Sequence, residues 1–282
     1  MAMNPQLTSP NEVRALLAEL GHRPNRGLGQ NYLIDANILD GIVQAAALDA
    51  GDRVLEVGPG LGALTERILP HVAALTCIEK DKTMAGYLRK RFDGLTLIES
   101  DALDVDLTTL FTSGAEKVVA NLPYSVASRL MVEMAECDIR PALLCLTIQK
   151  EVADRLTAEA GSRAYGVLSV LMGLFYSCRL VKKVSPSCFL PPPKVWSAVV
   201  RLERRGALVN DKAEYARVKR IVKHCFSQRR KQMSTSLKHL GVSNPEEVLE
   251  QVGVLGRERP ERMEPAVWVE LDRALQSRDT RA

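Results

Sequence analysis

The chain is short of the residues that metal sites and covalent triads use. Its four histidines, His22, His71, His224 and His239, lie far apart, so neither a zinc site nor a histidine-centred triad is suggested. Six cysteines, Cys77, Cys137, Cys145, Cys178, Cys188 and Cys225, have no metal-ligand spacing. Several sit in apolar stretches, where cysteine behaves as a small hydrophobe, and a reducing compartment fits. No apolar run reaches membrane-spanning length, and the N-terminus lacks the basic-then-apolar pattern of a signal peptide. A cytoplasmic protein without a membrane partner is therefore expected. Repeats and low-complexity tracts are also missing.

Charge of either sign is scarce in the balance but not in the distribution. A formal charge of +4 over 282 residues says little. Between Arg201 and Leu240, however, the basic residues include Arg217, Lys219, Arg220, Lys223, Arg229, Arg230 and Lys231, while the acids are Glu203, Asp211 and Glu214. Such an excess suits a phosphate backbone. The length allows one large core and a satellite domain.

Strands and helices alternate from Arg53 onward. Buried strands are predicted at 53–57, 73–78, 95–99, 117–120 and 142–148, with helices between most of them. This order implies a parallel sheet covered on both faces. Two further strands, 175–184 and 195–202, follow without a crossover helix and should pair antiparallel. A helix from Pro10 to Leu20 and a basic, glycine-rich loop from Arg23 to Leu33 precede the sheet; residues 1–9 look frayed. After Gly206 the pattern turns helical to the end. Two domains are expected, 1–206 and 207–282.

The first strand runs into Glu56-Val57-Gly58-Pro59-Gly60-Leu61-Gly62-Ala63, a glycine turn that lets a ligand approach the backbone. Glu79 ends the second strand and can accept from ribose hydroxyls. Dinucleotide enzymes share this pattern. Three features favour S-adenosylmethionine instead. Glu56 would crowd a pyrophosphate but suits a cationic sulfonium. Asp101, after the third strand, can accept from an adenine amine. Asn121 follows the fourth strand on the same carboxyl rim, where ligands of open parallel sheets bind. As alternatives, Asp101 and Asn121 can serve as helix caps.

Asn121-Leu122-Pro123-Tyr124 can hold a flat base and present its exocyclic amine. The Asn121 side-chain oxygen and the Pro123 carbonyl can accept the amine's hydrogens, and Tyr124 can stack on the ring. Phe189, in a proline-rich loop before the last strand, is a candidate for the opposite face; the alternative is a core aromatic.

These segments, in order, resemble the ribosomal RNA adenine dimethylase family of class I methyltransferases, in particular its bacterial small-subunit branch. The likeness also covers Gly29-Gln30-Asn31-Tyr32-Leu33, Glu79-Lys80-Asp81, Asp101-Ala102-Leu103, Gln149 to Arg155, Tyr165 to Val170, Phe189 to Val200 and Gln228-Arg229-Arg230-Lys231. The resemblance implies a Rossmann-like, seven-stranded, mostly parallel sheet with a small helical domain. It implies that Gln30, Asn31, Leu33, Glu56, Gly58, Gly60, Glu79, Lys80, Asp101, Ala102 and Asn121 bind S-adenosylmethionine, with no metal required. Asn121, Leu122, Pro123, Tyr124 and Phe189 would form the catalytic set. Arg23, Arg26, Arg220, Lys223, Arg229, Arg230 and Lys231 would contact RNA. The implied reaction is N6,N6-dimethylation of two adjacent adenosines in the 3′-terminal hairpin loop of 16S ribosomal RNA, by a monomer acting on an immature small subunit. Tyr32 stands where many relatives have Phe, and Thr235 where they often have Asn. Rival readings are a large-subunit RNA methyltransferase, a non-catalytic RNA-binding assembly factor and a dinucleotide oxidoreductase. Leu122, where resistance-type relatives more often carry Ile, and the Pro193 to Val200 segment oppose the first.

Overall fold

The computed structural model describes residues 5–24 and 29–279. Helix α1 (Pro10–Glu19) starts where Ser9 accepts from the Glu12 amide, with proline tolerated in the first turn. Strand β1 (Tyr32–Leu33) and helix α2 (Ala36–Ala46) follow. Asp35 caps α2, which buries Ile38, Leu39, Ile42, Ala45 and Ala46 along one face. The central array is β2 (Arg53–Val57), α3 (Thr65–Ile68), β3 (Ala74–Glu79), α4 (Lys82–Arg91), β4 (Thr96–Glu99) and α5 (Leu107–Thr112). It continues with β5 (Lys117–Asn121), α6 (Ala127–Glu136), β6 (Leu143–Gln149) and α7 (Lys150–Leu156). Then come α8 (Val167–Gly173), β7 (Tyr176–Val184), β8 (Phe189–Leu190) and β9 (Ser197–Arg204). The remaining helices are α9 (Lys212–Ser227), α10 (Met233–His239), α11 (Pro245–Gln251) and α12 (Pro265–Asp279).

Seven strands form one sheet in the order β4-β3-β2-β5-β6-β9-β7. The first five are mutually parallel, and β9 runs antiparallel to β6. Strands β5 and β6 are buried nearly throughout, as expected for a sheet covered on both faces. The chain order reverses between β2 and β5. That is the switch point of an open parallel sheet, so the loops after Val57 and Asn121 open onto one crevice.

Two features were not legible from local pattern. Strands β1 and β8 pair antiparallel, Tyr32 with Leu190 and Leu33 with Phe189, tying the N-terminal loop to the proline-rich loop. And residues 5–9 are not frayed: Leu7 is buried in an apolar cluster with Val13, Leu16, Leu17, Tyr32, Leu61 and Met84.

Backbone packing divides the chain into two compact units, 1–153 with 178–204, and 154–177 with 205–282. The sequence draws the boundary at 206 alone; the packing assigns Asp154–Ser177 to the second unit. Within that unit, the Tyr165 hydroxyl donates to the Met263 carbonyl at 2.8 Å. Ion pairs join α9 to α12, Arg217 to Asp272 at 3.0 Å and Arg273 to Glu214 at 2.7 Å. Trp268 is fully buried, with its ring 5.8 Å from that of Phe226.

Candidate active site

A crevice opens at the switch point, lined from the ends of several strands. Gln30, Asn31, Leu33, Glu56, Gly58 and Gly60 line it from the N-terminal loop and the end of β2. Glu79, Lys80, Asp101 and Ala102 line it from the ends of β3 and β4. Asn121, Leu122, Pro123 and Tyr124 line it from the end of β5. All of these residues belong to the first unit.

On one side the polar groups are already held. Glu79 accepts from the Gly60 amide at 3.0 Å and from the Asp81 amide at 2.8 Å. Burial pushes its carboxyl above the ordinary range. Gly58 and Gly60 have φ of +69° and +57°, a left-handed conformation that disfavours side chains. A Cβ at Gly60 would stand 2.9 Å from the Tyr32 ring. The Asp101 carboxylate accepts from the Leu103 amide and from Lys80 Nζ at 2.6 Å. The Lys80 hydrogen bond holds it below the usual carboxylate range. Asp101 caps a turn rather than a helix, since the next helix, α5, starts only at Leu107.

Glu56 is 1% exposed, and burial raises its carboxyl to about 7. The Thr65 hydroxyl donates to it at 2.6 Å and the Cys77 thiol at 3.6 Å, which offset part of that rise. Gln30 joins the N-terminal loop to this side: its amide nitrogen donates to Asp81 at 3.0 Å, and His22 Nε2 lies 3.0 Å from its oxygen.

On the other side polar atoms are left without a bond among the described residues. The Asn121 amide nitrogen donates to the Asn31 carbonyl at 3.2 Å, which fixes the amide and leaves Oδ1 facing away from that bond. Asn121 Oδ1 is buried without a partner among the described residues. So is the hydroxyl of Thr147, its cross-strand neighbour on β6. Neither is a helix cap; α6 begins after Val126. A buried acceptor left unpaired costs about 1–3 kcal/mol, a cost that a ligand hydrogen would relieve. The Pro123 carbonyl accepts from the Val126 amide at 3.2 Å and keeps its second lone pair. The Tyr124 hydroxyl meets the Ser197 hydroxyl at 2.5 Å, and burial raises its phenol, which stays protonated.

The structure moves one expected catalytic residue. Phe189 is 2% exposed and packs in the apolar core with Leu33, Ile38, Leu39 and Val199, outside the crevice lining. Its pairing with Leu33 in the β1–β8 ribbon sets its side chain on the core side. Among the basic residues, Arg220 and Lys223 share an exposed face of α9. Arg230 and Lys231 are exposed in the turn before α10. Arg23 is exposed; Arg26 lies outside the described residues. Arg229 is engaged inside the second unit: it donates to the Ser162 and Arg163 carbonyls and lies 3.7 Å from Glu261. Its contacts explain a structural role that charge clustering alone does not reveal.

Lining residues that sequence reasoning missed include Leu7, Val13 and Tyr32. Val13 shares the helical spacing of Leu16, Leu17 and Leu20, which reads equally as core, and nothing in the local pattern marks Leu7. Among the described residues, no group of three or more His, Cys, Asp or Glu side chains comes together to hold a metal.

The fit to S-adenosylmethionine is chemical. A glycine turn gives backbone approach, Glu79 keeps free lone pairs toward hydroxyl donors, Asp101 can accept from an amine, and Glu56 can neutralise a nearby cation. Comparison with known proteins agrees. Residues 21–276 match the family described as ribosomal RNA adenine dimethylase. The chain is 41% identical over 267 residues to the ribosomal RNA small subunit methyltransferase A of Magnetococcus marinus, covering 92% of this chain and 94% of that one. It is 43% identical over 227 residues to the protein of the same name from Syntrophotalea carbinolica, covering 79% and 85%. Among solved structures, a dimethyladenosine transferase from Plasmodium falciparum superposes with a TM-score of 0.76 at 26% identity, over 87% of this chain and 97% of that one. The 23S rRNA methyltransferase ErmE gives 0.68 at 26%, over 86% and 99%. The fold is that of the class I S-adenosylmethionine-dependent methyltransferases with a C-terminal helical domain, and the chain belongs to the ribosomal RNA adenine dimethylase family.

Proposed function

We propose that this chain dimethylates N6 of two adjacent adenosines in the 3′-terminal hairpin loop of 16S ribosomal RNA, as a cytoplasmic monomer acting on an immature small subunit. The observation that carries the reading is Asn121 Oδ1, buried, without a partner among the described residues, and set beside the glycine turn at the switch point. The choice of the small-subunit RNA is supported by relatives of that name, 41% and 43% identical, set against 26% for the 23S enzyme.

When bound, S-adenosylmethionine supplies an activated methyl carbon on a cationic sulfur. The protein must then position a poor nucleophile, because the adenine N6 lone pair is delocalised into the ring. Asn121 Oδ1 accepts one amine hydrogen and the second lone pair of the Pro123 carbonyl accepts the other. Both bonds favour a pyramidal nitrogen and hold it in line for attack. Tyr124, braced by Ser197, stacks on the base. Neither oxygen is basic enough to keep the proton released on transfer, so it passes to solvent. The monomethylated amine retains one hydrogen for Asn121, which permits a second round. Unstacking the target costs less in a loop than in a duplex. Exposed Arg23, Arg220, Lys223, Arg230 and Lys231 hold phosphates and set position rather than sequence; Arg26 joins them on sequence grounds.

The test is product mapping. The protein is incubated with labelled S-adenosylmethionine and either unmethylated small-subunit particles or large-subunit RNA, and modified nucleosides are located. N6,N6-dimethyladenosine at the small-subunit hairpin is expected. Label confined to large-subunit RNA, or absent from the hairpin, refutes the assignment.

A further inference from the structure

Resting on that reading, we propose that Trp196 is a stacking platform for an unpaired RNA base flanking the adenosine seated at Asn121, with Lys194 on the adjoining phosphate. Trp196 is 52% exposed, in a run where Lys194 and Val195 are exposed as well. Val195 and Trp196 together leave a small apolar patch beside Lys194, and the exposed indole offers a flat face to a partner. Its position follows from the sheet. Gln149, the last residue of β6, pairs with Ser197, the first of β9, and Thr147 pairs with Asn121 on β5. Trp196 thus stands at the carboxyl rim, two strands from Asn121, a lateral distance of about 10 Å at the usual strand spacing.

The platform is rigid and coupled to the base site. The Trp196 carbonyl accepts from the Lys150 amide at 2.9 Å, fixing the backbone. The next residue, Ser197, is fully buried and holds the Tyr124 hydroxyl. Alternation along the strand turns Trp196 away from Ser197, into solvent. The flanking Lys194 matches an anionic backbone, and an indole face accepts any base. An unpaired nucleic-acid base therefore fits better than an apolar protein surface. The platform would hold the strand while the target base is unstacked, so it acts on RNA engagement and not on the methyl transfer step.

The chain has two tryptophans, and the other, Trp268, is fully buried, so Trp196 reports on its own environment. A synthetic hairpin RNA with an adenosine-containing loop should quench the fluorescence of the full-length protein, and Trp196→Phe should abolish that quench. With unmethylated small-subunit particles, Trp196→Leu should raise the KM for particles on the order of tenfold, with kcat and cofactor affinity little changed. Trp196→Phe should recover most of the loss. An unchanged KM in Trp196→Leu, or a quench that survives in Trp196→Phe, overturns the proposal. Fluorescence that changes with protein concentration instead of RNA assigns Trp196 to a protein contact and also overturns it. If the unaltered protein transfers nothing to the particles, the proposed function fails, while the quench still decides whether Trp196 meets RNA.

Discussion

The two sides of the crevice differ in how their polar atoms are satisfied. On the side of β2, β3 and β4, Glu79 is bonded to two amides, Asp101 to Lys80 and an amide, Glu56 to Thr65 and Cys77, and Gln30 to Asp81 and His22. On the side of β5 and β6, Asn121 Oδ1 and the Thr147 hydroxyl are buried with no partner among the described residues. The first side is a cradle whose shape is set before a ligand arrives, so binding costs little reorganisation. On the proposed reading, the second keeps an acceptor in reserve for a hydrogen that the substrate brings. Binding energy on that side is then available where the reacting nitrogen changes geometry.

Breaking the open side should have the largest effect. Asn121→Ala is expected to lower the single-turnover transfer rate by roughly 10²–10³, while S-adenosylmethionine affinity, measured by titration calorimetry, changes far less. Breaking the cradle should do the reverse. Gly60→Val combines a left-handed backbone with a Cβ against the Tyr32 ring. A strain of about 1–3 kcal/mol predicts cofactor affinity reduced about tenfold to a hundredfold; unchanged affinity would show that the glycine turn is not the cradle.

Glu56 sharpens the comparison through pH. With its carboxyl near 7 in the unliganded protein, a bound cation beside it favours the ionised form. Affinity for the cationic cofactor should rise as pH goes from 6 to 7 and level off above, a change of about tenfold at most. Stability of the unliganded protein runs the other way. The folded state holds more protons than the unfolded between the ordinary value of 4.5 and about 7, so stability declines through that window and flattens above it. Glu56→Gln should remove both slopes, as read by calorimetry and by thermal melts. The smallest effects belong to the basic residues. Arg230→Ala is expected to weaken RNA binding a few-fold and reduce its salt slope by about 1. Arg229→Ala, which frees the Ser162 and Arg163 carbonyls, should instead lower the melting temperature.

The cradle was legible in the sequence because its parts are local. A glycine turn after a β-branched strand, and acids at successive strand ends, follow from periodicity and from the rule that ligands meet the carboxyl rim. The alternating strands and helices gave the parallel sheet for the same reason. What escaped depends on contacts between residues distant in sequence. The β1–β8 ribbon joins two-residue strands, too short for any periodicity, and it carries Phe189 from a candidate site position into the core. The packing of Asp154–Ser177 with the C-terminal helices likewise rests on partners such as Tyr165 and Met263. Arg229 looked like its exposed neighbours until its carbonyl partners were placed.

The reserved acceptor can be tested with a double-mutant cycle between Asn121 and the substrate amine. Hairpin RNA carrying adenosine or purine riboside at the target position is titrated against the unaltered protein and Asn121→Ala, both saturated with S-adenosylhomocysteine. Deleting the amine should weaken binding to the unaltered protein by about 1–2 kcal/mol more than binding to Asn121→Ala, since the bond to the Pro123 carbonyl is lost in both and the bond to Asn121 only in the first. An equal loss in both proteins, with no coupling between the two deletions, would contradict the assignment of Asn121 Oδ1 to the adenine amine.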